Sequence, residues 1–262
     1  GANLTVTHID GQLVTAGDTV TLATGEAVTL NPDGTFSITN DSEVDETNTF
    51  TYVVADDLGN ADVGFVDVTT EVGSPACFVA GTLMDTQDGP VAVEELEVGT
   101  LINTRDHGPQ PLRWIGRSSR RAEGRDAPVV FSAGALGDHD CIAVSPNHRV
   151  LITSGRAELL FGQSEVLVKA KHLINDSTIR VRADGRQVTY VHLLFDEHEI
   201  VCGNGLESES YHPGAETFDG FDAETRAEIL ELMPDWTEYG PAARPALKSH
   251  ESRLLSDQSL PV

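Results

Sequence analysis

Cys77-Phe78-Val79-Ala80-Gly81-Thr82 opens the larger part of the chain, and Asp88-Gly89-Pro90-Val91-Ala92-Val93-Glu94-Glu95-Leu96 and Val98-Gly99-Thr100 continue it. Read in order, this is a cysteine, a Gly-Thr turn, a strand, a tight turn and a further short segment ending at a glycine. Short β-type runs follow at Val129-Val130-Phe131, Ile142-Ala143-Val144, Arg149-Val150-Leu151-Ile152, Ile179-Arg180-Val181 and Thr189 to Phe195. Apolar runs this short, separated by turn residues, are the pattern of an all-β domain. Low aromatic content (6%) together with 24 Gly and 12 Pro favours many strands and turns over long packed helices. The one helical segment expected lies at Asp222 to Met233, with Asp222 as N-cap, Glu224 in the first turn and Pro234 ending it. The tail beyond it, rich in Pro, Ser and charge, is expected to wrap the surface or stay disordered.

Upstream, Leu4-Thr5-Val6-Thr7, Phe36-Ser37-Ile38-Thr39 and Phe50-Thr51-Tyr52-Val53-Val54 alternate apolar and polar residues between the turn signals Asp10-Gly11, Pro32-Asp33-Gly34 and Asp56-Asp57-Leu58-Gly59-Asn60. This spacing predicts an antiparallel β-sandwich. With the closing run Phe65-Val66-Asp67-Val68, the segment resembles the cadherin-like or immunoglobulin-like repeats of bacterial secreted adhesins. Such repeats often bind Ca²⁺, for which Asp56, Asp57 and Asp62 are the candidate oxygen ligands; the alternative is a set of solvated turn carboxylates without regular ligand spacing. Glu71-Val72-Gly73-Ser74-Pro75 interrupts strand pairing. The expected organisation is a β-sandwich over 1–73, a linker over 74–76, a second β domain over 77–218, and a helix and tail over 219–262.

The chain is acidic, with a formal charge of −25, and residues 1–73 hold 13 Asp and Glu but no Lys or Arg. Nucleic acid and anionic lipid require clustered cations, so neither is an expected partner. No apolar run is long enough to span a membrane. Gly1-Ala2-Asn3 does not begin a signal peptide, and the first residues read as the interior of a repeat. The chain is therefore expected to be part of something longer, secreted or held at a bacterial cell surface, with any export signal outside it. Three cysteines, Cys77, Cys141 and Cys202, cannot all pair with one another, so at least one thiol is free or modified.

Two more blocks follow the first: Val144-Ser145-Pro146-Asn147-His148-Arg149-Val150-Leu151, and Tyr190-Val191-His192-Leu193-Leu194-Phe195-Asp196-Glu197-His198-Glu199-Ile200 with Asn204-Gly205 beyond it. The three blocks, in this order, resemble the Hedgehog/intein (Hint) family, with a horseshoe-like all-β fold. Val93 stands where the opening block has Ile, and Ser145 where the second usually has Thr. The tail Asn204-Gly205-Leu206-Glu207-Ser208-Glu209-Ser210-Tyr211-His212-Pro213-Gly214 is similar to that of bacterial secreted Hint domains. It lacks the His-Asn pair followed by Cys, Ser or Thr that splicing requires, so the resemblance implies cleavage or transfer at the N-terminal junction alone.

The chemistry needs particular groups. A thiol at Cys77 can attack the carbonyl of Ala76 through a five-membered ring and convert the Ala76-Cys77 amide into a thioester. The amide nitrogen leaves only when protonated, a task the resemblance assigns to His148, and Ser145 would hydrogen-bond the scissile amide and hold it out of planarity. His192 and His198 are both candidates for the base that activates the incoming nucleophile, and the sequence does not separate them. The thioester is resolved by water, an amine, a thiol or an alcohol, and no cofactor is required. The substrate is the chain's own N-terminal segment; the acceptor is open.

Other readings compete. Cys77 can be an ordinary buried small residue, and His148, His192 and His198 core or capping histidines. Cys141 and Cys202, expected in apolar strands, read as structural. Zinc is not expected, because no C-x-x-C or H-x-x-x-H pair is present. Two further function classes stay open: a cysteine hydrolase acting on other molecules through Cys77 and His148, and a non-catalytic adhesive protein carrying an inactive Hint scaffold.

Overall fold

Period-two alternation builds the strands, and turn residues set their register. In the computed structural model, which describes residues 4–39, 46–70, 75–213, 228–230 and 239–256, the chain divides into two units, residues 1–72 and 73–262.

The first unit holds β1 (Thr5–Ile9), β2 (Gln12–Leu13), β3 (Thr19–Thr21), β4 (Ala27–Leu30), β5 (Phe36–Thr39), β6 (Glu46–Ala55) and β7 (Ala61–Thr70). Two antiparallel sheets, ordered β2-β1-β6-β7 and β3-β4-β5, enclose Ile9, Val14, Val20, Leu22, Val28, Leu30 and Phe50. This is the expected β-sandwich. Asp10-Gly11 closes the β1/β2 hairpin with φ of 46° and 76°, the doubly positive turn that matches strand twist and favours an Asp-Gly pair.

The second unit holds β8 (Phe78–Val79), β9 (Leu83–Met84), β10 (Val91–Ala92), β11 (Leu101–Thr104), β12 (Gly108–Pro111), β13 (Trp114–Arg121), β14 (Val129–Phe131), β15 (Ile142–Val144), β16 (Arg149–Thr153), β17 (Glu165–Lys169), β18 (Ile179–Val181), β19 (Gln187–Leu194), β20 (Ile200–Gly203) and β21 (Leu206–Glu209). One sheet runs β13-β19-β8-β15-β14-β18. The other runs β10-β9-β20-β21-β16-β17, with β11 and β12 added through β20. Between them lies a core that includes Phe78, Met84, Ile102, Phe131, Val144, Val150, Val191 and Phe195. The short strand β8 is the keystone for the site: Phe78 pairs with Val144 on one side and Val191 on the other. Asn204-Gly205 (φ 49° and 86°) is the tight turn joining β20 to β21. The Asn204 amide accepts from Leu83 N and donates to the Cys141 carbonyl, both at 2.7 Å, so this residue ties β9 to the start of β15.

Helices are short. α1 (Gly155–Phe161) is capped by Ser154, whose hydroxyl accepts from Arg156 N, and ends at left-handed Gly162. α2 (Ser249–Ser256) begins where the Glu251 carboxylate accepts from Lys248 N at 2.7 Å. Both were missed in the sequence, because one or two turns carry too little periodic signal. Of the expected Asp222–Met233 helix, residues 228–230 are helical. Asp222, Glu224, Met233 and Pro234 lie outside the described residues.

Of the two expectations for the tail, its described part fits the first, wrapping over the surface. Pro245 O accepts from Leu167 N and Leu247 N donates to Leu167 O, at 2.8 and 2.9 Å. This single bridge lies against β17, which ends its sheet. Leu247 packs with Ala157, Val166 and Val168. Cys141 departs from expectation: it is exposed and precedes β15 instead of lying in it, whereas Cys202 lies half-buried in β20. All three thiols are free.

Candidate active site

The pairing of β8 between β15 and β19 carries Cys77, the residue just before it, into the gap between the Ser145–His148 turn and the middle of β19. Ser145 N donates to Cys77 O at 3.0 Å and His148 N to Ser145 O at 3.1 Å. The tight turn thus aims both side chains at the residue opposite. Residues separated by about seventy and more than a hundred positions meet because a three-strand register demands it.

The peptide bond between Ala76 and Cys77 is held at both ends. Cys77 N donates to Ser145 Oγ at 3.2 Å, and the hydroxyl passes its own proton to Pro75 O at 3.0 Å. The Ala76 carbonyl oxygen lies 3.0 Å from His192 Nδ1, which donates to it. Cys77 Sγ is 2.8 Å from Pro75 O, and 3.3 and 3.4 Å from His192 Nδ1 and Nε2. A sulfur nearly equidistant from both nitrogens rests beside the edge between them. With the Nδ1 proton given to Ala76, Nε2 is left as an acceptor within reach of the thiol.

This pocket is dry. Cys77, Ser145, His148 and His192 are each at most 3% exposed. Burial drives the Cys77 thiol far above its usual range, only partly opposed by the Ser145 hydroxyl, so the resting thiol is protonated. Burial likewise lowers His192 to about 4 against the opposing pull of the Ala76 carbonyl. His148 falls to about 4, again through burial, with Glu209 opposing. The His148 ring stands edge-on to Phe78, with centroids 4.6 Å apart. It faces the Cys77 backbone, yet neither ring nitrogen reaches a hydrogen-bond partner among the described residues. Trp114 and Tyr211 flank His192, with ring centroids 6.3 and 6.2 Å away.

His198 is elsewhere. Its Nδ1 accepts from Ala243 N at 3.0 Å, and its Nε2 faces Ser210 O at 3.2 Å and the Glu209 carboxylate at 3.4 Å. The two histidines that sequence could not separate are therefore separated by side-chain direction, and His192 is the one at Cys77. The group around His198, with Arg149 and Glu209, was missed. The Glu209-Ser210 pair in the tail motif was its only trace in the sequence.

Of the three candidate calcium ligands, Asp56 and Asp62 accept from amides close by in the chain. Asp56 Oδ1 accepts from Leu58 N and Asn60 N, each at 2.9 Å, and its Oδ2 from Asn60 Nδ2 at 2.8 Å. Asp62 accepts from Val63 N at 2.8 Å, and Asp57 is exposed in the β6/β7 turn. Asp56, Asp57 and Asp62 do not gather into a site, and among the described residues no group of three or more His, Cys, Asp or Glu is arranged to hold a metal ion.

Residues 76–215 match the Hint domain family. Among solved structures, a bacterial intein-like domain from Clostridium thermocellum is 14% identical, with a TM-score of 0.37, over 52% of this chain and 97% of that one. The gp41-1 intein is 13% identical, with a TM-score of 0.31, over 52% and 98%. No curated protein matches. With more than half of its length matched to the Hint domain, beginning one residue before Cys77, the chain belongs to the Hint domain family.

Proposed function

We propose that the second unit is an autoprocessing domain that cleaves its own Ala76-Cys77 bond by an N–S acyl shift, without splicing. One observation carries this reading: the amide to be broken is gripped at its N–H by Ser145 and at its carbonyl by His192, with the Cys77 thiol 3.3 Å from the same imidazole.

The steps balance within the chain's own groups. His192 Nε2 takes the thiol proton as Sγ bonds to the Ala76 carbonyl carbon, and the developing oxyanion is held by Nδ1–H. The C–N bond then breaks, and the nitrogen receives a proton from His148. Burial keeps His148 neutral at rest, so it takes this proton from solvent before the bond breaks; its depressed affinity, about 4, then makes the imidazolium a strong donor. The two imidazoles re-equilibrate with solvent, so the net change is isomerisation of an amide to a thioester and a free amine. Water, an amine, a thiol or an alcohol then attacks the thioester, carries off the Ala76 acyl group as an acid, amide, thioester or ester respectively, and the Cys77 sulfur leaves as the restored thiol. No cofactor enters.

The 1% exposure of Cys77 favours this over hydrolysis of other molecules, which need access to the sulfur. The protein's own N-terminal segment is then the substrate, and the β-sandwich is the released module. We read that module as a cadherin-like repeat of a secreted or cell-surface protein, in keeping with its two antiparallel sheets and wholly acidic charge. The absence of a His-Asn ending among residues 204–214 supports cleavage without ligation.

Intact mass spectrometry of fresh protein, with and without dithiothreitol or hydroxylamine, tests the reading beside a Cys77→Ala control. Fragments ending at Ala76 and starting at Cys77, absent from the control, are expected. An unchanged full-length mass under all conditions favours the inactive scaffold.

A further inference from the structure

Glu209 is a buried carboxylate, 1% exposed, that the acyl shift does not use. It closes β21, whose Ser208 pairs with Val150 of β16, and this register sets its side chain beside the start of β16. There Oε1 accepts from the backbone N–H of Arg149 at 2.9 Å, and Oε2 from Arg149 Nη1 at 3.1 Å. His198 Nε2 approaches Oε2 at 3.4 Å. Because the Ala243 amide donates to His198 Nδ1, Nε2 is the ring nitrogen that carries a proton, and it points toward Glu209 and the Ser210 carbonyl.

A lone buried carboxylate would be protonated, and burial does push Glu209 upward. Arg149 and then His198 outweigh it and bring the carboxyl down to about 2, so Glu209 is an anion. It is also next to the acid. Arg149 follows His148 directly in sequence, and the charged or titratable groups acting on the His148 ring are Glu209, Arg149, His198 and His192. Among these, Glu209 alone is negative. Phe78 and the Cys77 backbone, which also face the ring, carry no charge.

We infer that Glu209 is a positioning residue for His148: it clamps the His148–Arg149 peptide at the start of β16 and supplies the counter-charge while His148 carries the proton bound for the Cys77 nitrogen. This rests on the reading of His148 as the acid. The proton travels from the His148 ring to nitrogen as the C–N bond breaks; Glu209 keeps its charge throughout and exchanges no proton. Ala243, outside the matched Hint residues, takes part by fixing the His198 tautomer.

The test uses the full chain with Cys77→Ala, so that nothing is cleaved, and follows His148 by ring-nitrogen NMR. Glu209→Gln keeps the shape and removes the charge; the His148 midpoint is expected to fall by about one pH unit, and Glu209→Asp to return part of it. In the cleavable chain, Glu209→Gln is expected to slow thiol-induced cleavage about tenfold. A folded Glu209→Gln chain with an unmoved His148 midpoint overturns the inference, even if cleavage slows. Should that variant not fold, the Glu209 carboxyl is titrated in the Cys77→Ala chain by ¹³C NMR, and a carboxyl that protonates above the His148 midpoint overturns it equally. Failure of the wild-type chain to cleave sinks the reading of His148 as acid separately, because the midpoint experiment requires no cleavage.

Discussion

His192 Nδ1 lies 3.0 Å from the carbonyl oxygen of Ala76, and the same ring lies 3.3 Å from Cys77 Sγ. One imidazole thus touches both the carbonyl of the Ala76-Cys77 bond and the thiol beside it. Replacing it removes the carbonyl donor and the proton acceptor together. His192→Gln is expected to slow thiol-induced cleavage about 10² to 10³-fold, the range seen when a single oxyanion donor is lost. His198→Gln should act less, since its ring nitrogens face Ala243, Ser210 and Glu209 and not the Ala76-Cys77 bond. Gel or mass-spectrometric time courses on the two variants decide this, and a larger effect at His198 would reverse the assignment.

Ser145 is fully buried and both accepts from Cys77 N and donates to Pro75 O. Ser145→Ala leaves the Cys77 amide N–H in want of a partner, while the Pro75 carbonyl keeps the Cys77 thiol at 2.8 Å. A buried unsatisfied group costs about 1–3 kcal/mol, and if the lost contact tightens in the transition state, cleavage slows roughly ten- to a hundredfold. Ser145→Thr keeps the hydroxyl and is expected to retain cleavage. Equal rates for the Ala and Thr variants would show that the contact does not contribute.

The site makes folding sensitive to acid. A histidine whose folded pKa lies below its unfolded value binds its proton first in the unfolded chain, so stability is full above about 6.5 and declines as the pH falls toward about 4. His148 and His192 each contribute a loss of roughly 3 kcal/mol over this window. Glu209 acts in the window below, where stability present above its ordinary 4.5 is lost as the pH falls toward about 2. Thermal unfolding of the Cys77→Ala chain between pH 8 and pH 4 is expected to show a falling Tm, with a shallower slope once His192 is replaced by Gln. A Tm independent of pH between 6.5 and 4 would contradict the dry site.

The C-terminal strap is held by packing more than by charge. Leu247 is 7% exposed among Ala157, Val166 and Val168, and Leu247→Ala is expected to destabilise the second unit by about 2–3 kcal/mol. Arg244 pairs with Asp106 and Glu165 at 2.8 and 2.6 Å, with all three partly solvated, so Arg244→Ala should cost about 1 kcal/mol or less. Urea unfolding of the uncleavable chain compares them, and a larger loss at Arg244 would make the ion pairs the principal tie.

Much of this was open to reading before any coordinates. Phe36–Thr39, Val129–Phe131, Ile142–Val144 and Ile179–Val181 are strands over the expected bounds, because alternation and turn residues act locally. Asp10-Gly11 announced its turn for the same reason: a doubly positive φ leaves few residue choices. The helices α1 and α2 escaped notice because one or two turns carry too little periodic signal, even with Ser154 and Gly162 marking the ends of α1.

What the chain determined alone was its composition of strands, the division of turns, and the presence of a thiol, a hydroxyl and several imidazoles in a recognisable order. Which imidazole meets the thiol was settled only by the three-strand pairing of β15, β8 and β19, since strand register selects which side chain of each pair faces inward. The anionic partner of Arg149 and His198 was likewise decided in three dimensions. Glu209 looks in sequence like Glu207, whose side chain is 39% exposed, and only burial with two donors gives it a fixed charge beside His148.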